Sequence, residues 1–461
     1  MVGKCRTLAL LFTFFICSLC KGQLVPVYSF QQDDTLQKRK YFNEALDKKK
    51  QLIAGLQKEY IKDYKQAYED MFEVVEDLLI SPRSVTEKTA DNYIKSIVAK
   101  IINANPELNG LDVRVIFSRD MPPNAYSIGD GTIAFNAGLF VFLGNEAEMA
   151  FVICHELAHY YLDHSRKRLD KYVAIANSDS LKREFKRLSK QEYKVAEQFE
   201  KLLKTFVFDI RRHSRDNEEE ADRVGMQFLK KTGYSGNGFV TSMKLLDKID
   251  DTALFTTLNL QKILSFPAYP FKERWIKKES VIFGALNPDD ATGLTKKERD
   301  SLKTHPDCSK RILLLADSAA TIKGSNFQVN EHYFKQLKEE FIPEIVEEVF
   351  KSGNISFNLY LSLQMLQDGK YNPLAIYSIA RDLNLIYKHQ KDHEMGLIID
   401  SENKRHDEEY NLLIRMIYRM KLNEIAELND SFCSYYQEQM KSYEGFTQEM
   451  KKAIENKQAH L

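Results

Sequence analysis

Two histidines and a glutamate in residues 151–164 have the types and the spacing of a metal-dependent hydrolase. His155 and His159 are four residues apart in a His-Glu-Leu-Ala-His motif. In a helix this spacing places both side chains on one face, with Cβ atoms about 6 Å apart. Glu156 is rotated by about 100° from His155 and can reach a water molecule on a metal bound by the two imidazoles. Such a centre also needs a third ligand and an open position at which the metal lowers the pKa of water.

The residues around the motif predict that it lies on a helix inside a hydrophobic core. The four residues before His155 are apolar, and no glycine or proline interrupts the run. Glu146 and Glu148 stand in the first turn, where the helix dipole favours acids, and this is a sufficient reason for their presence. Cys154 is adjacent to His155 in sequence, but neighbouring residues on a helix point in different directions. We therefore expect Cys154 to be a buried thiol and not a metal ligand.

Composition places the chain among ordinary globular proteins. Its 461 residues allow two or three structural units. They are 43% hydrophobic and 29% charged, and the formal net charge is zero. A balanced charge argues against nucleic acid or an anionic membrane surface as the main partner.

The N-terminus predicts an exported protein. Residues 8–19 form an apolar segment that follows basic residues and is too short to span a bilayer. We expect residues 1–22 to be a signal peptide, cleaved after Gly22, and the mature chain to be soluble in a periplasm or outside the cell. Lipid anchoring at Cys17 or Cys20 is disfavoured by the bulky residue before each. No later apolar run has the length of a transmembrane segment.

The region before the motif is predicted to be helical and then to form a small sheet. Apolar residues recur at helical spacing up to Ser81-Pro82, which predicts one long helix or a hairpin of two. The next helix is expected to be capped near Thr86 or Thr89.

Three segments of alternating or apolar sequence predict the strands of this sheet. They are residues 111–117, 125–128 and 132–135, of which the last two flank Gly129-Asp130-Gly131, a hairpin signal. An exposed edge strand beside the metal would align an extended peptide through main-chain hydrogen bonds. The alternative is a sheet that only packs against the helix.

A second acidic segment, residues 214–225, could complete the metal centre. It contains three consecutive glutamates, Glu218, Glu219 and Glu220. Taken alone, such a run is typical of a solvated helix face. Because zinc needs a third protein ligand, a carboxylate on a helix after the His-Glu-Leu-Ala-His motif gains a second interpretation.

Together these motifs resemble the HtpX and CAAX-prenyl-endopeptidase family of zinc metallopeptidases, and within it the soluble exported members of the BepA type. The resemblance covers less than half of the chain, about residues 124–315. Its segments are residues 124–139, 146–164, 214–225 and 304–306 with Arg311-Ile312. The absence of predicted transmembrane helices argues against the processing of prenylated proteins.

The resemblance implies a role for individual residues. Glu218 corresponds to the third ligand of one zinc ion per chain, and Asp222, four residues later, would hydrogen-bond a ligating imidazole. His164 would be structural or would support a ligand from behind. His305, in the His-Pro segment, would approach the metal as a gate or transition-state donor, or would cap a helix. His305 and Arg215 are both candidates for the donor to the oxyanion.

The predicted fold class is α+β, mainly α, with a zincin-like metallopeptidase core and a small β-sheet beside the motif helix. The expected organisation is a helical N-terminal region at 23–83, the metallopeptidase domain at 84–318 and a C-terminal helical domain at 319–461. The C-terminal domain would either pack against the core or recruit a partner protein.

The predicted function is that of an exported zinc-dependent endopeptidase that acts on misfolded or envelope proteins. Its substrates would be proteins or peptides. One alternative is a chaperone-like holdase with a gated or structural zinc site. The intact Glu156 argues against it, because a structural site needs no base. Another alternative is a zinc hydrolase of non-peptide amides, which would use the same ligands.

Overall fold

The helix that carries the motif lies in the largest hydrophobic core. A computed structural model describes residues 32–56, 59–188, 215–248, 257–277, 308–403 and 406–460. In it, helix α5 spans Glu146–Tyr161, and every residue from 146 to 158 is buried. The side chain of Asn145 caps its start by accepting the N–H of Glu148 at 3.1 Å. After α5 the chain turns at Asp163, whose φ of 58° is left-handed, a conformation that Asp tolerates better than most residues.

A four-stranded sheet packs beside α5. Its strands are β1 (Ser84–Val85), β2 (Arg114–Ser118), β3 (Ala125–Ser127) and β4 (Thr132–Asn136). Their order is β1-β2-β4-β3, with β2 and β4 parallel and the other pairs antiparallel. The predicted hairpin of β3 and β4 is confirmed, and β3 forms one edge of the sheet. The predicted strand at 111–117 begins later, at Arg114, because that residue pairs with the first residue of β4.

The N-terminal region is a hairpin of two helices, α1 (Thr35–Ala54) and α2 (Ile61–Ile80). The second helix ends directly before Ser81-Pro82, as the sequence predicts. The hairpin packs on the sheet face that carries Ile116, whereas Val115 and Phe117 point into the core that contains α5. This division follows from the alternation of side chains along a strand.

The remaining helices surround this sheet and α5 or follow it in sequence. Helix α3 (Lys88–Ala104) is capped near Thr86 and Thr89, as predicted, and the capping residue is Glu87. Its carboxylate accepts the N–H groups of Thr89 and Ala90. Helices α3 to α11, apart from α5, are α3 (Lys88–Ala104), α4 (Ala137–Phe140), α6 (His164–Asn177), α7 (Asp179–Leu188), α8 (residues 215–230), α9 (Asn237–Asp247), α10 (Leu260–Ile263) and α11 (Cys308–Thr321).

Glu146 has a larger structural role than the helix dipole explains. Its carboxylate is buried and accepts the backbone N–H groups of Gln328, Val329 and Asn330 at 2.7 to 2.8 Å. It also accepts the hydroxyl of Tyr93 at 2.9 Å. The interpretation of Glu146 as a dipole-favoured acid was therefore incomplete. This carboxylate joins the start of α5 to residues 328–330, which directly precede the helix that begins at Glu331.

The C-terminal region consists of helices, as predicted. They are α12 (Glu331–Lys351), α13 (Ile355–Asp368), α14 (Asn372–Lys391), α15 (Glu408–Arg419), α16 (Leu422–Met440) and α17 (Glu444–Gln458), and short 3-10 helices occur at Pro106–Leu108, Glu273–Trp275 and Met395–Leu397.

Asp382 of α14 is fully buried, and within the described residues neither of its carboxylate oxygens has a hydrogen-bond partner. Burial raises the pKa of Asp382 well above its usual 3.8, and Arg381 beside it only partly opposes this.

The observed architecture confirms the predicted fold class, mainly helical with a small sheet beside the motif helix. The boundary at 318 stays a prediction. Packing crosses it in both directions, because α12 contributes Phe341 to the core around α5 while Trp275 packs with the C-terminal helices. None of the described helices is long and apolar enough to cross a membrane. The predicted signal peptide lies outside the described residues.

Candidate metal centre

Helix α8 crosses α5 at a position where only glycine fits without displacement. A Cβ on Gly225 would lie 3.0 Å from the backbone nitrogen of His155 and 3.1 Å from the carbonyl carbon of Cys154. This close approach of two helix backbones brings the acidic face of α8 towards the histidines. Glu218 and Asp222 lie seven and three residues before Gly225, on the same side of α8.

Three side chains converge in the way that a tetrahedral metal ion requires. The Nε2 atoms of His155 and His159 are 3.1 Å apart. The Glu218 carboxylate lies 3.5 Å from the first and 3.3 Å from the second. Ligand atoms in a tetrahedral zinc site with bonds of about 2.1 Å are about 3.4 Å apart. The donor set and its spacing therefore fit zinc, and these are the residues that could hold it.

The electrostatics of the three groups favour a ligating carboxylate. Burial raises the pKa of Glu218, but the imidazoles of His155 and His159 and the Arg311 guanidinium outweigh burial and hold that pKa well below its usual value. Glu218 is thus ionised, as a metal ligand must be. Burial lowers the pKa of His155, whereas the neighbouring Asp222 and Glu218 raise it to about 10. The two acids next to His155 create a local preference for positive charge at its imidazole.

Asp222 and Arg311 contact two of the three candidate ligands, His155 and Glu218. Asp222 Oδ1 lies 2.9 Å from His155 Nδ1, which places the imidazole proton on Nδ1 and leaves Nε2 free to bind a metal. Arg311 of α11 donates to both oxygens of Asp222 at 2.6 and 2.7 Å and lies 3.0 Å from Glu218. Both Asp222 and Arg311 are almost fully buried. One cation therefore compensates two acids and links α11 to α8.

A chain of polar contacts runs behind the second histidine. His164 Nδ1 lies 2.9 Å from His159 Nδ1, and His164 Nε2 lies 3.2 Å from a carboxylate oxygen of Glu220. Burial and the neighbouring His159 lower the pKa of His164, so its ring is neutral near pH 7. With His159 Nε2 directed at the metal, His159 Nδ1–H donates to His164, and His164 Nε2–H donates to Glu220. This geometry agrees with a supporting role for His164 and places Glu220 outside the ligand set.

Glu156 is held beside the three ligands by the edge strand. The backbone N–H of Ser127 in β3 donates to Glu156 Oε2 at 2.8 Å. The other oxygen, Oε1, lies 4.0 Å from His155 Nε2 and faces the point of convergence. Burial raises the pKa of Glu156 above its usual 4.5, and Glu218 adds to this effect. A raised pKa suits a carboxylate that must take up and release a proton.

The other candidate residues have different outcomes. Cys154 is fully buried among apolar side chains, as expected. Arg215 begins α8, three residues before Glu218, and its proposed contact with an oxyanion stays a prediction. His305 lies outside the described residues. Glu219 points away from the ligands and pairs with Lys310 at 2.8 Å.

Sequence reasoning missed the roles of Arg311, Ser127 and Gly225. Arg311 does carry a signal, because it stands at a buried position of α11 between Cys308 and Ala319. A charged residue on the apolar side of a helix predicts a buried partner of opposite charge. The roles of Gly225 and of the Ser127 N–H depend on how separate elements approach each other, and no local pattern predicts them.

Comparison with known proteins agrees with this geometry. The sequence pattern of peptidase family M48 matches residues 88–319, from the start of α3 to near the end of α11. The metalloprotease YcaL of Escherichia coli is 29% identical over 33% of this chain and 58% of its own length. A putative beta-barrel assembly-enhancing protease of Vibrio cholerae is 28% identical over 33% of the chain and 32% of its own length. The bovine mitochondrial metalloendopeptidase OMA1 is 27% identical over 32% of this chain and 29% of its own length.

These matches cover less than two thirds of each relative. The family pattern leaves out the N-terminal hairpin and the C-terminal helices that follow α11. The matches confirm the family expected from the motifs. The residues that match the family pattern include the three candidate ligands and Glu156.

Proposed function

The chain belongs to peptidase family M48, and on that premise we propose that it is an endopeptidase that hydrolyses peptide bonds in proteins with one bound zinc ion. The observation that carries this proposal is the convergence of His155, His159 and Glu218 at tetrahedral spacing. A buried carboxylate, Glu156, faces the same point. A purely structural site would have no use for it.

The roles of the residues follow from their positions. His155, His159 and Glu218 would hold the zinc ion, which when bound would polarise the scissile carbonyl and lower the pKa of water. Glu156 accepts the proton of the attacking water through Oε1 and passes it to the leaving amine. The Ser127 N–H fixes Oε2 and so keeps Oε1 directed at the reacting atoms.

The edge strand supports the choice of a peptide as substrate. On either side of β3, Asn124 O accepts the N–H of Asn136 and Ile128 N–H donates to Thr132 O of β4. The backbone groups of Ala125 and Ser127 therefore point away from β4. The N–H of Ser127 reaches Glu156 on this outer side. An extended peptide that pairs with β3 would therefore pass the point where the ligands converge. Main-chain pairing of this kind aligns a substrate with little sequence preference.

The cellular role belongs to the same proposal. We propose that the protein is exported and acts on misfolded or envelope proteins in quality control. The apolar segment at residues 8–19 supports export. The names of relatives in Vibrio cholerae and Yersinia pestis, both beta-barrel assembly-enhancing proteases, support envelope substrates. The C-terminal helical region is the proposed surface for a partner protein.

The test compares the purified chain with single-residue variants. Bound zinc is measured by elemental analysis, and cleavage of casein is followed over time. Wild type and Glu156→Gln should both contain about one zinc per chain, and only the wild type should cleave. Glu218→Ala should lose zinc and activity, whereas the matched control Glu219→Gln should keep both, because Glu219 faces Lys310 and not the ligands.

Cleavage by Glu156→Gln at the wild-type rate would refute the mechanism. Binding of unfolded casein without cleavage by the zinc-loaded wild type would favour the holdase alternative. Unchanged zinc content in Glu218→Ala would exclude Glu218 as the third ligand.

A further inference from the structure

A cavity of about 660 Å³ lies next to the candidate site, between the N-terminal hairpin and the ends of α5 and α6. Its walls are mostly apolar and aromatic. They include Leu52, Met71 and Leu169, together with the rings of Tyr68, Tyr160 and Tyr172. A concave apolar space of this size is typical of a binding site and not of a packing defect. Helices α1 and α2, which form one wall, lie outside the region that matches family M48.

The cavity is lined by residues that are close in sequence to Ser127 and Glu156. Ile128 and Gly129, which line it, directly follow Ser127, whose N–H holds Glu156. Tyr160, another lining residue, is four residues after Glu156 and therefore on the same face of α5, about 6 Å further along the helix. An extended peptide advances about 3.3 Å per residue. The cavity is thus about two to three residues away from a scissile bond at Glu156.

The wall that joins the cavity to β3 is held in place by the glycine turn. Gly129 has φ +110°, and a Cβ there would lie 2.9 Å from Cβ of Ser165 in α6. Between the two glycines, Asp130 forms a buried ion pair with Arg114 at 2.8 Å. The turn therefore packs directly on α6, and a peptide that leaves β3 would meet a preformed surface.

The rim of the cavity carries an excess of positive charge. Lys48, Arg166 and Arg168 line it, and Asp163 is the carboxylate among the lining residues. Arg166 lies 3.9 Å from Asp170. Among the residues that the structure describes, neither Lys48 nor Arg168 pairs with a carboxylate. An acidic group of a ligand would therefore find cations at the rim that it can pair with at little cost.

The shape favours an extended chain over a small molecule. A second cavity of about 440 Å³ shares Leu52, Tyr68 and Arg166 with the first and continues between the hairpin and α6. Tyr161 and Tyr172 are large side chains that remain 43% and 57% exposed beside this groove. Exposed tyrosines supply contact area at low entropic cost and are enriched where proteins bind peptides.

We propose that this cavity is a substrate subsite. It receives a large apolar or aromatic side chain of an extended, unfolded substrate, and Lys48 and Arg168 pair with an acidic side chain next to it in the same segment. The proposal rests on the proposed endopeptidase function and adds a substrate preference to it. The N-terminal hairpin is then a specificity element of this chain.

The experiment uses a peptide library from the digest of a whole proteome, incubated with the full mature chain. Mass spectrometry identifies the cleavage sites. In the wild type we expect a fivefold or larger enrichment of Phe, Tyr, Leu or Met at one fixed position within about three residues of the scissile bond. An adjacent position should be enriched in Asp or Glu.

Two variants separate the apolar wall from the charged rim. Ala67→Trp places an indole in the cavity and should abolish the apolar preference while peptides with a small residue at that position are cleaved at the wild-type rate. Arg168→Glu changes an exposed residue and should abolish or reverse the acidic preference. The matched controls Ala176→Trp and Lys167→Glu change exposed residues of α6 that do not line the cavity. Both control variants should keep the cleavage profile of the wild type.

The outcomes distinguish this proposal from the proposed function. Cleavage by the wild type without a preferred position would overturn the subsite, as would an unchanged profile in folded Ala67→Trp and Arg168→Glu. Thermal unfolding verifies that each variant is folded, and Arg168→Glu alone decides if Ala67→Trp is not. Absence of cleavage above the Glu156→Gln background would instead refute the endopeptidase function, and the subsite with it.

Discussion

Replacing Gly225 by alanine should weaken zinc binding about 10- to 100-fold and lower the stability of the protein by about 2 kcal/mol at most. The added Cβ would lie 3.0 Å from the nitrogen and 3.1 Å from the Cα of His155, closer than the ordinary contact range that begins at 3.4 Å. Both contacted atoms belong to the backbone of a buried helix and cannot rotate away. The helices α8 and α5 must therefore separate by a few tenths of an ångström.

The magnitude follows from the tolerance of the metal site. Glu218 lies two turns before Gly225 on the same face of α8 and moves with it. Zinc-ligand distances must be correct to about 0.2 Å, so we expect a 10- to 100-fold loss of affinity, comparable to the loss of a group that orients a ligand. This is about 1.4 to 2.8 kcal/mol. Overpacking costs about 1 to 3 kcal/mol, and alanine regains about 1 kcal/mol over glycine in a helix. The net loss of stability is then about 2 kcal/mol at most.

Zinc affinity is measured by competition with a chromophoric chelator on metal-free protein, and stability by urea unfolding of the same samples. The matched control is Gly396→Ala, because a Cβ at Gly396 has no atom within 4 Å. It should change neither quantity. If Gly225→Ala binds zinc within twofold of wild type, the contact between α8 and α5 does not determine the position of Glu218.

Three further substitutions test other parts of the structure. Asp222→Asn should lower zinc affinity about tenfold, because the amide orients His155 less strongly than the carboxylate does. Competition with a chelator measures the affinity, and an unchanged value would contradict the orienting role of Asp222. Glu146→Gln should lower the free energy of unfolding in urea by about 3 kcal/mol, because the NH₂ group of glutamine cannot accept the backbone N–H groups that the carboxylate accepts. A loss below about 1 kcal/mol would contradict the role of Glu146. Asp382→Asn should stabilise the protein at pH 7 by about 1 to 3 kcal/mol. The raised pKa of Asp382 means that its contribution to stability is fully present below pH 3.8 and is lost as pH rises through the folded-state pKa. The advantage of asparagine should therefore shrink as the pH falls towards 4. Urea unfolding at several pH values that shows no such trend would contradict the raised pKa of Asp382.

Several elements of the fold could be predicted because their causes are local. The apolar run before His155 predicts a buried helix, and α5 is buried from residue 146 to 158. Gly129-Asp130-Gly131 between two short apolar segments predicts the hairpin of β3 and β4. In both cases the backbone preference and the burial pattern of a few consecutive residues agree.

Other features could not be predicted because they depend on contacts between distant parts of the chain. Glu146 appeared to need no partner beyond its own helix, yet it accepts N–H groups from residues more than 180 positions later. The cap of α3 was expected near Thr86 or Thr89, but the ability of the Glu87 carboxylate to accept two N–H groups is not evident from residue type. Contacts of this kind exist only after the elements have packed.

The metal centre also combines features that have a local cause in the sequence with features that depend on contacts between distant parts of the chain. The spacing of His155 and His159 determines by itself that their imidazoles share a face, because a helix repeats every 3.6 residues. The sequence also places Glu156 beside them. It does not distinguish Glu218 from Glu219 and Glu220, since a run of acids on a helix points in several directions. The tertiary structure decides this through the close approach of α8 at Gly225, which turns Glu218 towards the histidines and leaves the other two acids to pair elsewhere.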